Sequence, residues 1–417
     1  MKVFKFGGAS VKNSNSIKNM TRILKLSGYR NTIVVISAMG KTTNALERVV
    51  EDYLEGNLRY TKTLKKIKEE HLSIAHDLFE GTEESPFNDL VKLIEDLEKF
   101  LNINKSLDHS FVYDQVVGFG ELISTKIISS YLQLEGINNY WLDVRKCLKT
   151  DSYYRNANLN WDKTKILIRK ETKNKSTVIT QGFIASDLKG YATTLGREGS
   201  DYTAAIFAFI LNAESLTIWK DVPGVLNADP RHFKTTQLLE NMSYREAIEL
   251  AYYGASVIHP KTLQPLQQKK IPLFVKSFEE PKSQGTKVFE DSKLIPFVPC
   301  FILKKNQILL QLSTLDFSFI VEENISEIFS LMDKYKMRVE MIQNSAISFA
   351  VCINDKYSKL KELVSELNLK FKVEVKENVS LHTIRHFDDS SIKEIKESGK
   401  KILLEQRTFE TAQFILA

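Results

Sequence analysis

The chain has 417 residues, more than one hydrophobic core usually supports, so we expect two or three domains. Its 43% hydrophobic and 26% charged residues are typical of a globular protein, and a net charge of +6 is too diffuse to indicate nucleic-acid binding. Cys147, Cys300 and Cys352 lie far apart without CxxC spacing, which argues against a zinc site or a disulfide framework. Without a secretory segment or an apolar run of membrane-spanning length, the chain is expected to be soluble and cytoplasmic.

The first part of the chain alternates short β-rich runs with helical stretches up to about residue 276. The runs are KVFKF, TIVVIS, NYWLDV, STVIT, SLTIWKDV and IPLFVKS. This alternation predicts an α/β fold with a mostly parallel central sheet covered by helices. A polar stretch rich in Lys and Glu, at about residues 44–105, predicts a solvated helical excursion with i,i+4 pairs such as Lys66 with Glu70.

The pattern changes after the polar segment EEPKSQGTK at residues 279–287, where we place a domain boundary. The following residues alternate strands with an amphipathic helix at about 324–335 and read β-α-β-β-α. A strand-rich tail ends the chain with VSLHTIRHF, KILLEQRTF and TAQFILA. This part predicts a smaller α+β region.

The loop TTLGREGSDYT, residues 193–203, is the most informative segment. Ser200 and Asp201 lead into the apolar run AAIFAFIL, and such residues favour a helix start. Unpaired N–H groups at a helix N-terminus, close-approaching glycines and the charge of Arg197 together predict an anion site. The alternative is an exposed turn whose glycines only supply positive φ angles.

Three further segments carry polar residues directly after a predicted strand or at a predicted helix start. KFGGAS offers Lys5 and two glycines whose amides can turn toward a phosphate. VGFGELIST places Glu121 at a helix start, where it binds a ligand or only complements the helix dipole. WKDVPGVLNADPR, residues 219–231, is either a nucleotide-binding loop or an ordinary connection.

The aspartate kinases of the amino-acid kinase superfamily carry motifs that seven segments of this chain closely resemble in order and spacing. They are KFGGAS, SAMGKTTN, VGFGELIST, ITQGFIASD, TTLGREGSDYTAA, WKDVPGVLNADPR and YGASVIHPKT. The resemblance implies a catalytic domain over residues 1–285. It also implies an ACT-like regulatory or dimerisation region over residues 286–417, in which the second ACT unit is reduced.

This resemblance implies transfer of the γ-phosphoryl group of MgATP to the side-chain carboxylate of L-aspartate, the first step of lysine, threonine and methionine biosynthesis. It assigns Lys5 to the transferring group, Asp201 to organising Lys5 and approaching magnesium, and Arg197 to the substrate α-carboxylate. ATP and magnesium are the implied cofactors, without a dedicated all-protein metal site. Further implied residues are Glu121, Ser37, Thr43, Ser200 and Phe183 for aspartate, and Gly7, Gly8, Ser10, Lys220, Asp221, Asp229 and Arg231 for the nucleotide.

Three positions depart from the family pattern. Ala9 stands where threonine is common, Leu226 where some members have tyrosine near the adenine, and Ser256 where many have a lysine facing the nucleotide. We expect these departures to change nucleotide affinity or preference. The charged residues that the reaction requires are all present.

The C-terminal region departs from effector-binding relatives as well. Glu322 and Glu323 stand where such relatives commonly have glycine, and their charge would repel an effector carboxylate. Ala346 stands where lysine-responsive members often have glutamate. We therefore predict a homodimer through this region, with lysine or threonine as doubtful effectors. The alternative functions are another amino-acid kinase and a non-catalytic effector-binding relative.

Overall fold

The computed structural model describes residues 1–80, 86–255, 258–316 and 318–417. Over these residues the chain forms two compact units. The first unit comprises Met1–Val225, Leu238–Ile248 and Val257–Ile295. The second comprises Leu226–Gln237, Glu249–Ser256 and Pro296–Ala417, so two short segments within the first three hundred residues belong to it.

The first unit alternates strands and helices. Its strands are β1 (Lys2–Phe6), β2 (Thr32–Ile36), β3 (Tyr140–Leu142), β4 (Thr177–Gln181), β5 (Ile184–Ser186), β6 (Ala192–Thr194), β7 (Ser215–Lys220), β8 (Asn241–Met242), β9 (Leu273–Ser277) and β10 (Thr286–Val288). Its helices are α1 (Ser14–Ser27), α2 (Thr42–Leu54), α3 (Arg59–Phe79), α4 (Phe87–Ile103), α5 (His109–Val117), α6 (Phe119–Leu134), α7 (Trp161–Thr172), α8 (Gly199–Leu211), α9 (Tyr244–Tyr253, whose last residues belong to the second unit) and α10 (Pro260–Gln268).

The central sheet confirms the predicted α/β fold. Within the described residues it has eight strands in the order β3-β4-β2-β1-β7-β9-β10-β8. Neighbouring pairs from β3 to β9 are parallel, and β10 runs antiparallel to β9. Every residue of β2, TIVVI, is buried, as expected for a strand with helices on both faces. The loops after β1, β2, β4 and β7 therefore meet at one edge of the sheet, where ligands bind in open α/β sheets.

The described residues of the polar stretch at 44–105 are mainly helical, as predicted, and form α2, α3 and α4. On α3 the pairs Lys65–Glu69 and Lys66–Glu70 each have an N···O distance of 3.8 Å on the exposed face. Leu64 on the opposite face of α3 is buried. This amphipathic pattern explains why a stretch so rich in charge is ordered.

The second unit has a mostly antiparallel sheet with helices. Its strands are β11 (Cys300–Thr314), β12 (Arg338–Asn344), β13 (Ser348–Asn354), β14 (Phe371–Arg385), β15 (Ile402–Arg407) and β16 (Thr411–Leu416), and its helices are α11 (Glu322–Lys334), α12 (Leu360–Leu367) and α13 (Asp389–Lys396). The strand order over the described residues is β12-β13-β11-β14-β16-β15. The sequence predicted the β-α-β-β-α order and the amphipathic helix at 324–335, which α11 confirms.

The tail of this unit contains a helix that the sequence reading missed. Asp388 caps α13 by accepting a hydrogen bond from the N–H of Ser391. Within the helix, the side chains of Ile392 and Ile395 are buried. The motif was overlooked because eight residues are too few for a clear period. The long strands β11 and β14 pair with each other and join the two parts of this sheet. Residues 308–313 of β11 pair with β13, and residues 380–385 of β14 pair with β16.

Candidate active site

The turns after β1 and β2 are packed backbone against backbone. The N–H of Gly40 donates to the carbonyl oxygen of Gly8 at 3.1 Å. A Cβ on Gly8 would lie 2.7 Å from the carbonyl oxygen of Ala38, so only glycine fits there. The hydroxyl of Ser10 donates to the carbonyl oxygen of Trp219 at 3.3 Å, which ties the first turn to β7. The predicted phosphate turn thus lies beside the ends of three strands.

Two lysines share one buried carboxylate at this edge. Lys5 Nζ is 2.6 Å from Asp201 Oδ1, and Lys220 Nζ at the end of β7 is 3.6 Å from Asp201 Oδ2. Burial opposes the ionisation of Asp201, but the two ammonium groups outweigh it and hold its pKa below the ordinary value. Gly7 lies against Lys5 Nζ, because a Cβ on it would be 3.4 Å away. Both ammonium groups are held where a polyphosphate could meet them.

The start of α8 is fixed by contacts with the loops after β2 and β4. Ser37 Oγ donates to Ser200 Oγ at 3.0 Å. A Cβ on Gly182 would lie 2.6 Å from Ser200 Cα, so the loop after β4 touches the helix start directly. Phe183 follows with a φ of 70°, and its N–H donates to Thr203 Oγ1 at 3.1 Å. Ser37, Phe183 and Ser200 thus lie close together at the start of α8.

Glu121 is a buried carboxylate in the first turn of α6. It is 3% exposed, and its Oε2 has no hydrogen-bond partner among the described residues. Burial raises its pKa to about 8, although hydrogen bonds from the backbone N–H groups of Ala38 and Glu121 itself oppose the rise. One turn later Ser124 Oγ donates to the carbonyl oxygen of Ser37 at 2.9 Å. Thr43, half-buried in the first turn of α2, begins the helix after this same loop.

The loop before α8 carries two adjacent charges in different environments. Arg197 is exposed, whereas Glu198 is only partly exposed and its Oε2 is buried without a hydrogen-bond partner among the described residues. Burial raises the pKa of Glu198, and the charges of Lys220, Asp201, Arg197 and Lys5 also act on it. Glu198 thus belongs to the same charged group as Asp201.

The remaining predicted nucleotide residues follow β7. Asp221 is exposed directly after that strand. Asp229 and Arg231 belong to the second unit, where Arg231 Nη2 is 2.6 Å from Asp229 Oδ2. Leu226 lies in the same segment, and Ser256 lies outside the described residues. The nucleotide roles of these positions stay predictions.

The sequence reading missed three residues at this site. Glu198, Ser124 and Gly182 lie within or next to motifs that it singled out, but it gave them no role. A charge beside Arg197 was visible in GREGSD, yet the sequence does not show which of two adjacent side chains turns inward. The backbone of the loop decides it, since Glu198 has a φ of 53°.

Chemically, the site joins three functions at one sheet edge. Lys5 and Lys220 offer positive charge for phosphate oxygens, and Asp201 orients both. Glu121 offers a buried carboxyl group that has no salt-bridge partner among the described residues and can ionise to meet a cationic ligand. The hydroxyl groups of Ser37 and Ser200, which hydrogen-bond to each other, offer further polar contacts for a substrate. Such an arrangement suits the transfer of a charged group to an amino-acid acceptor.

Comparison with known proteins agrees with this geometry. A model of the Amino acid kinase family matches residues 1–277. The chain therefore belongs to the amino acid kinase family. The similarity to its aspartokinases extends along most of the chain.

Two curated relatives illustrate that similarity. The lysine-sensitive aspartokinase 3 of Escherichia coli is 32% identical over 389 residues, which cover 91% of this chain and 85% of that protein. The bifunctional aspartokinase/homoserine dehydrogenase 1 of Arabidopsis thaliana is 31% identical, over 89% of this chain but only 42% of that protein. The chain thus spans less than half of the bifunctional relative.

A solved structure shows the same fold over the whole chain. The structure of E. coli aspartokinase III in complex with aspartate and ADP, in the R-state, has a TM-score of 0.82 and 29% identity. The match covers 100% of this chain and 96% of the E. coli chain. The T-state structure of that enzyme, in complex with lysine and aspartate, has a TM-score of 0.81 and 28% identity, with coverages of 100% and 95%.

Proposed function

We infer that this chain is an ATP-dependent aspartate kinase. It transfers the γ-phosphoryl group of ATP to the side-chain carboxylate of L-aspartate, giving 4-phospho-L-aspartate and ADP. This is the first step of lysine, threonine and methionine biosynthesis. The observation that carries the assignment is that the Lys5–Asp201–Lys220 group and the buried Glu121 stand at one edge of the sheet.

On the donor side, the phosphates are proposed to lie against the turn that contains Gly7, Gly8 and Ser10. Its close contact with the loop after β2 leaves room for backbone N–H groups but not for side chains. Lys5 holds the transferring phosphoryl group, because its ammonium is fixed by Asp201 and does not have to be ordered during the reaction. Lys220 adds a second positive charge. By family resemblance we also propose nucleotide-binding roles for Asp221, Asp229 and Arg231.

Magnesium fits this site through oxygen ligands. The Asp201 carboxylate provides one, and a hard cation that bridges phosphates takes only one or two protein carboxylates. When bound, the ion would neutralise charge on the phosphates. Within the described residues there is no group of three or more His, Cys, Asp or Glu side chains that could hold a metal by themselves.

On the acceptor side, we assign the substrate ammonium to Glu121 and its α-carboxylate to Arg197. A buried carboxylate without a hydrogen-bond partner at Oε2 gains most from a cationic ligand, because the ligand restores the solvation that burial removed. Arg197 is exposed in the loop before α8, and its guanidinium can bind a carboxylate with two parallel hydrogen bonds. Ser37, Thr43, Ser200 and Phe183 line the space for the rest of the substrate.

The direct test is a coupled assay of ADP formation with aspartate, glutamate and acetylglutamate in parallel. Aspartate should be the preferred acceptor, and product analysis should find an acyl phosphate. Preference for glutamate or acetylglutamate would identify a different amino-acid kinase. No acceptor-dependent turnover with any of the three would contradict the enzymatic assignment.

We propose that residues 1–285 form the catalytic domain and that residues 286–417 mediate homodimerisation. In the second unit, β12 and β15 are the edge strands of the described sheet, and edge strands offer backbone groups to another chain. On β12 the side chain of Ile342 is 37% exposed, which gives such an edge an apolar contact. Sedimentation at micromolar concentration should therefore find a dimer, and a monomer would contradict the proposal.

Feedback by lysine or threonine has weaker support. Glu322 and Glu323 are exposed in the first turn of α11, and their charges oppose binding of an effector carboxylate. Assays across millimolar lysine, threonine and methionine should show little inhibition, and strong inhibition by any of them would overturn this view. We also place the enzyme in the cytoplasm, a location that suits three buried cysteines that form no disulfide. Among the described helices, none has the length and apolar character needed to cross a membrane.

A further inference from the structure

Helix α5 contains a fully buried carboxylate that has no part in the proposed reaction. Asp114 is 0% exposed. Its Oδ2 accepts the N–H of Thr194 at 2.9 Å and the N–H of Arg155 at 3.0 Å, and its Oδ1 accepts the hydroxyl of Thr194 at 2.8 Å. Burial raises the pKa of Asp114 to about 6, while these hydrogen bonds and the charge of Arg155 oppose the rise. The group is therefore mainly ionised at pH 7.

The two segments that Asp114 holds are adjacent in the structure. Thr194 is the last residue of β6, and Arg155 lies in the loop that precedes α7. The N–H of Ala157 donates to the carbonyl oxygen of Thr194 at 2.9 Å, which joins the segments directly. Arg155 has a φ of 69°, an uncommon conformation for arginine, and its guanidinium lies 4.4 Å from the ring centroid of Tyr113. Helix α5 therefore anchors both segments.

Both segments support the loop that carries Arg197. Thr194 precedes Arg197 by three residues, so the position of β6 determines where the loop begins. On the other side, a Cβ on Gly196 would lie 2.7 Å from Asn156 Oδ1 and 3.3 Å from the carbonyl oxygen of Arg155. The segment that contains Arg155 thus packs directly against the loop. One carboxylate fixes the loop through its own chain and through the chain that packs on it.

We propose that Asp114 is a positioning residue for acceptor binding, whose carboxylate fixes the loop that presents Arg197 to the α-carboxylate of the substrate. This proposal rests on the proposed kinase function. Two parallel hydrogen bonds from a guanidinium to a carboxylate depend on orientation, so a loop that moves loses affinity although Arg197 is still present. A loop that is held before the substrate arrives also loses less conformational freedom on binding.

The test is a double-mutant cycle of Asp114→Ala and Arg197→Ala. Asp114→Ala should raise the KM for aspartate about tenfold, as for the loss of one charged hydrogen bond at the substrate. The KM for ATP should stay within about twofold, because the proposed phosphate contacts lie on other loops. In the Arg197→Ala background, Asp114→Ala should leave kcat/KM for aspartate unchanged. An unchanged KM for aspartate in the single variant, or equal losses in both backgrounds, would refute the proposal.

A matched control separates positioning from a general loss of stability. Asp187 is 1% exposed and also accepts three hydrogen bonds, but it lies at the other end of the β5–β6 pair. Its donors are the N–H groups of Lys189 and Tyr191 and the hydroxyl of Ser152, each at 2.9 Å. Asp187→Ala should lower the Tm about as much as Asp114→Ala and leave the KM for aspartate within about twofold. Similar rises of that KM in both variants would contradict the proposal.

Two milder variants keep the test decisive if Asp114→Ala does not fold. Asp114→Asn retains an oxygen that can accept both N–H groups and an amide that can donate to Thr194 Oγ1, so the KM for aspartate should stay within about twofold. Thr194→Val removes only the hydroxyl contact and should raise this KM about threefold. A tenfold rise in Asp114→Asn, or no rise in Thr194→Val, would also contradict the proposal.

Hydrogen exchange gives a readout that does not depend on turnover. In Asp114→Ala, the backbone amides of residues 192–199 should exchange about tenfold faster than in the wild type, while those of buried β2 keep their protection. If the wild type lacks aspartate-dependent turnover, the proposed function fails, but this measurement still decides whether Asp114 holds the loop. Unchanged exchange over residues 192–199 would overturn the positioning role.

Discussion

Lys5 Nζ lies 2.6 Å from Asp201 Oδ1, and the side chains are only 9% and 3% exposed. This contact connects the end of the first strand to the first turn of α8 across almost two hundred residues of chain. Desolvation makes the pair sensitive to the loss of either partner. It also fixes the ammonium before any substrate arrives, so the site is organised in advance for a negatively charged transition state.

Removal of the Lys5 ammonium should abolish most turnover without unfolding the protein. We expect Lys5→Ala to lower kcat by about two orders of magnitude or more, as for the loss of a preorganised electrostatic group. Asp201 keeps Lys220 at 3.6 Å, which limits the cost of the missing partner. Coupled kinetics and a thermal melt check both points. Lys2→Ala on the same strand is the control, and near-normal kcat in Lys5→Ala would contradict the assignment.

Neutralising Glu121 should weaken aspartate binding more than it slows transfer. A hydrogen bond to a charged group contributes about 1.5–3 kcal/mol, so Glu121→Gln should raise the KM for aspartate at least tenfold. Glu135→Gln at the other end of α6 alters the ion pair with Lys25 and the hydrogen bond from the Tyr131 hydroxyl, and should leave the KM unchanged. An unaltered KM for aspartate in Glu121→Gln would refute the ammonium-binding role.

The same carboxylate predicts a pH dependence of substrate affinity. Burial raises the pKa of Glu121 to about 8, so in the empty site it is mostly protonated at pH 7. The substrate ammonium needs the ionised form, and the apparent affinity should rise about tenfold per pH unit below pH 8 and level off above it. Calorimetric titrations with aspartate from pH 6 to 9 measure this slope. It should disappear in Glu121→Gln, and a flat profile in the wild type would contradict the prediction.

A methyl group at Gly182 should disturb the start of α8. The added Cβ would lie 2.6 Å from Ser200 Cα, a distance that backbone atoms cannot tolerate. We expect Gly182→Ala to lower both the Tm and kcat, because the displaced helix start carries Ser200 and Asp201. Gly190→Ala serves as a comparison, since a Cβ there meets nothing within 4 Å; its φ of 93° strains the backbone, so it should lower the Tm but leave kcat unchanged. Wild-type activity in Gly182→Ala would show that the close contact is not needed.

In the second unit, a buried arginine should stabilise the end of β14. Arg385 is 5% exposed, and its guanidinium lies 3.2 Å from Glu410 and 3.7 Å from Glu249. Both carboxylates are partly exposed, so screening reduces the effect, and we expect Arg385→Ala to cost about 2 kcal/mol in urea unfolding. Arg407→Ala, which removes an exposed pair with Glu405, should cost less than about 1 kcal/mol. Equal effects would exclude a special role for Arg385.

Periodicity and motif order determined much of this protein from the sequence alone. The parallel α/β sheet, the helical excursion and α11 all follow from local patterns of apolar residues, because each element must bury one face. The motifs also placed Lys5, Glu121 and Asp201 after strands or at helix starts. Parallel strands bring such positions to one edge, which is why the sequence could predict a single site.

The tertiary structure alone decided which of these charges share a partner and which side chains turn inward. Asp201 meets Lys220 as well as Lys5, and Glu198 turns inward where the sequence pointed only to Arg197. Asp229 and Arg231 pair with each other in the second unit, and α13 forms within a tail that was predicted to be rich in strands. These outcomes depend on single backbone angles and on contacts between distant segments. Single backbone angles and contacts between distant segments produce no periodic pattern of residues, so the sequence alone does not reveal them.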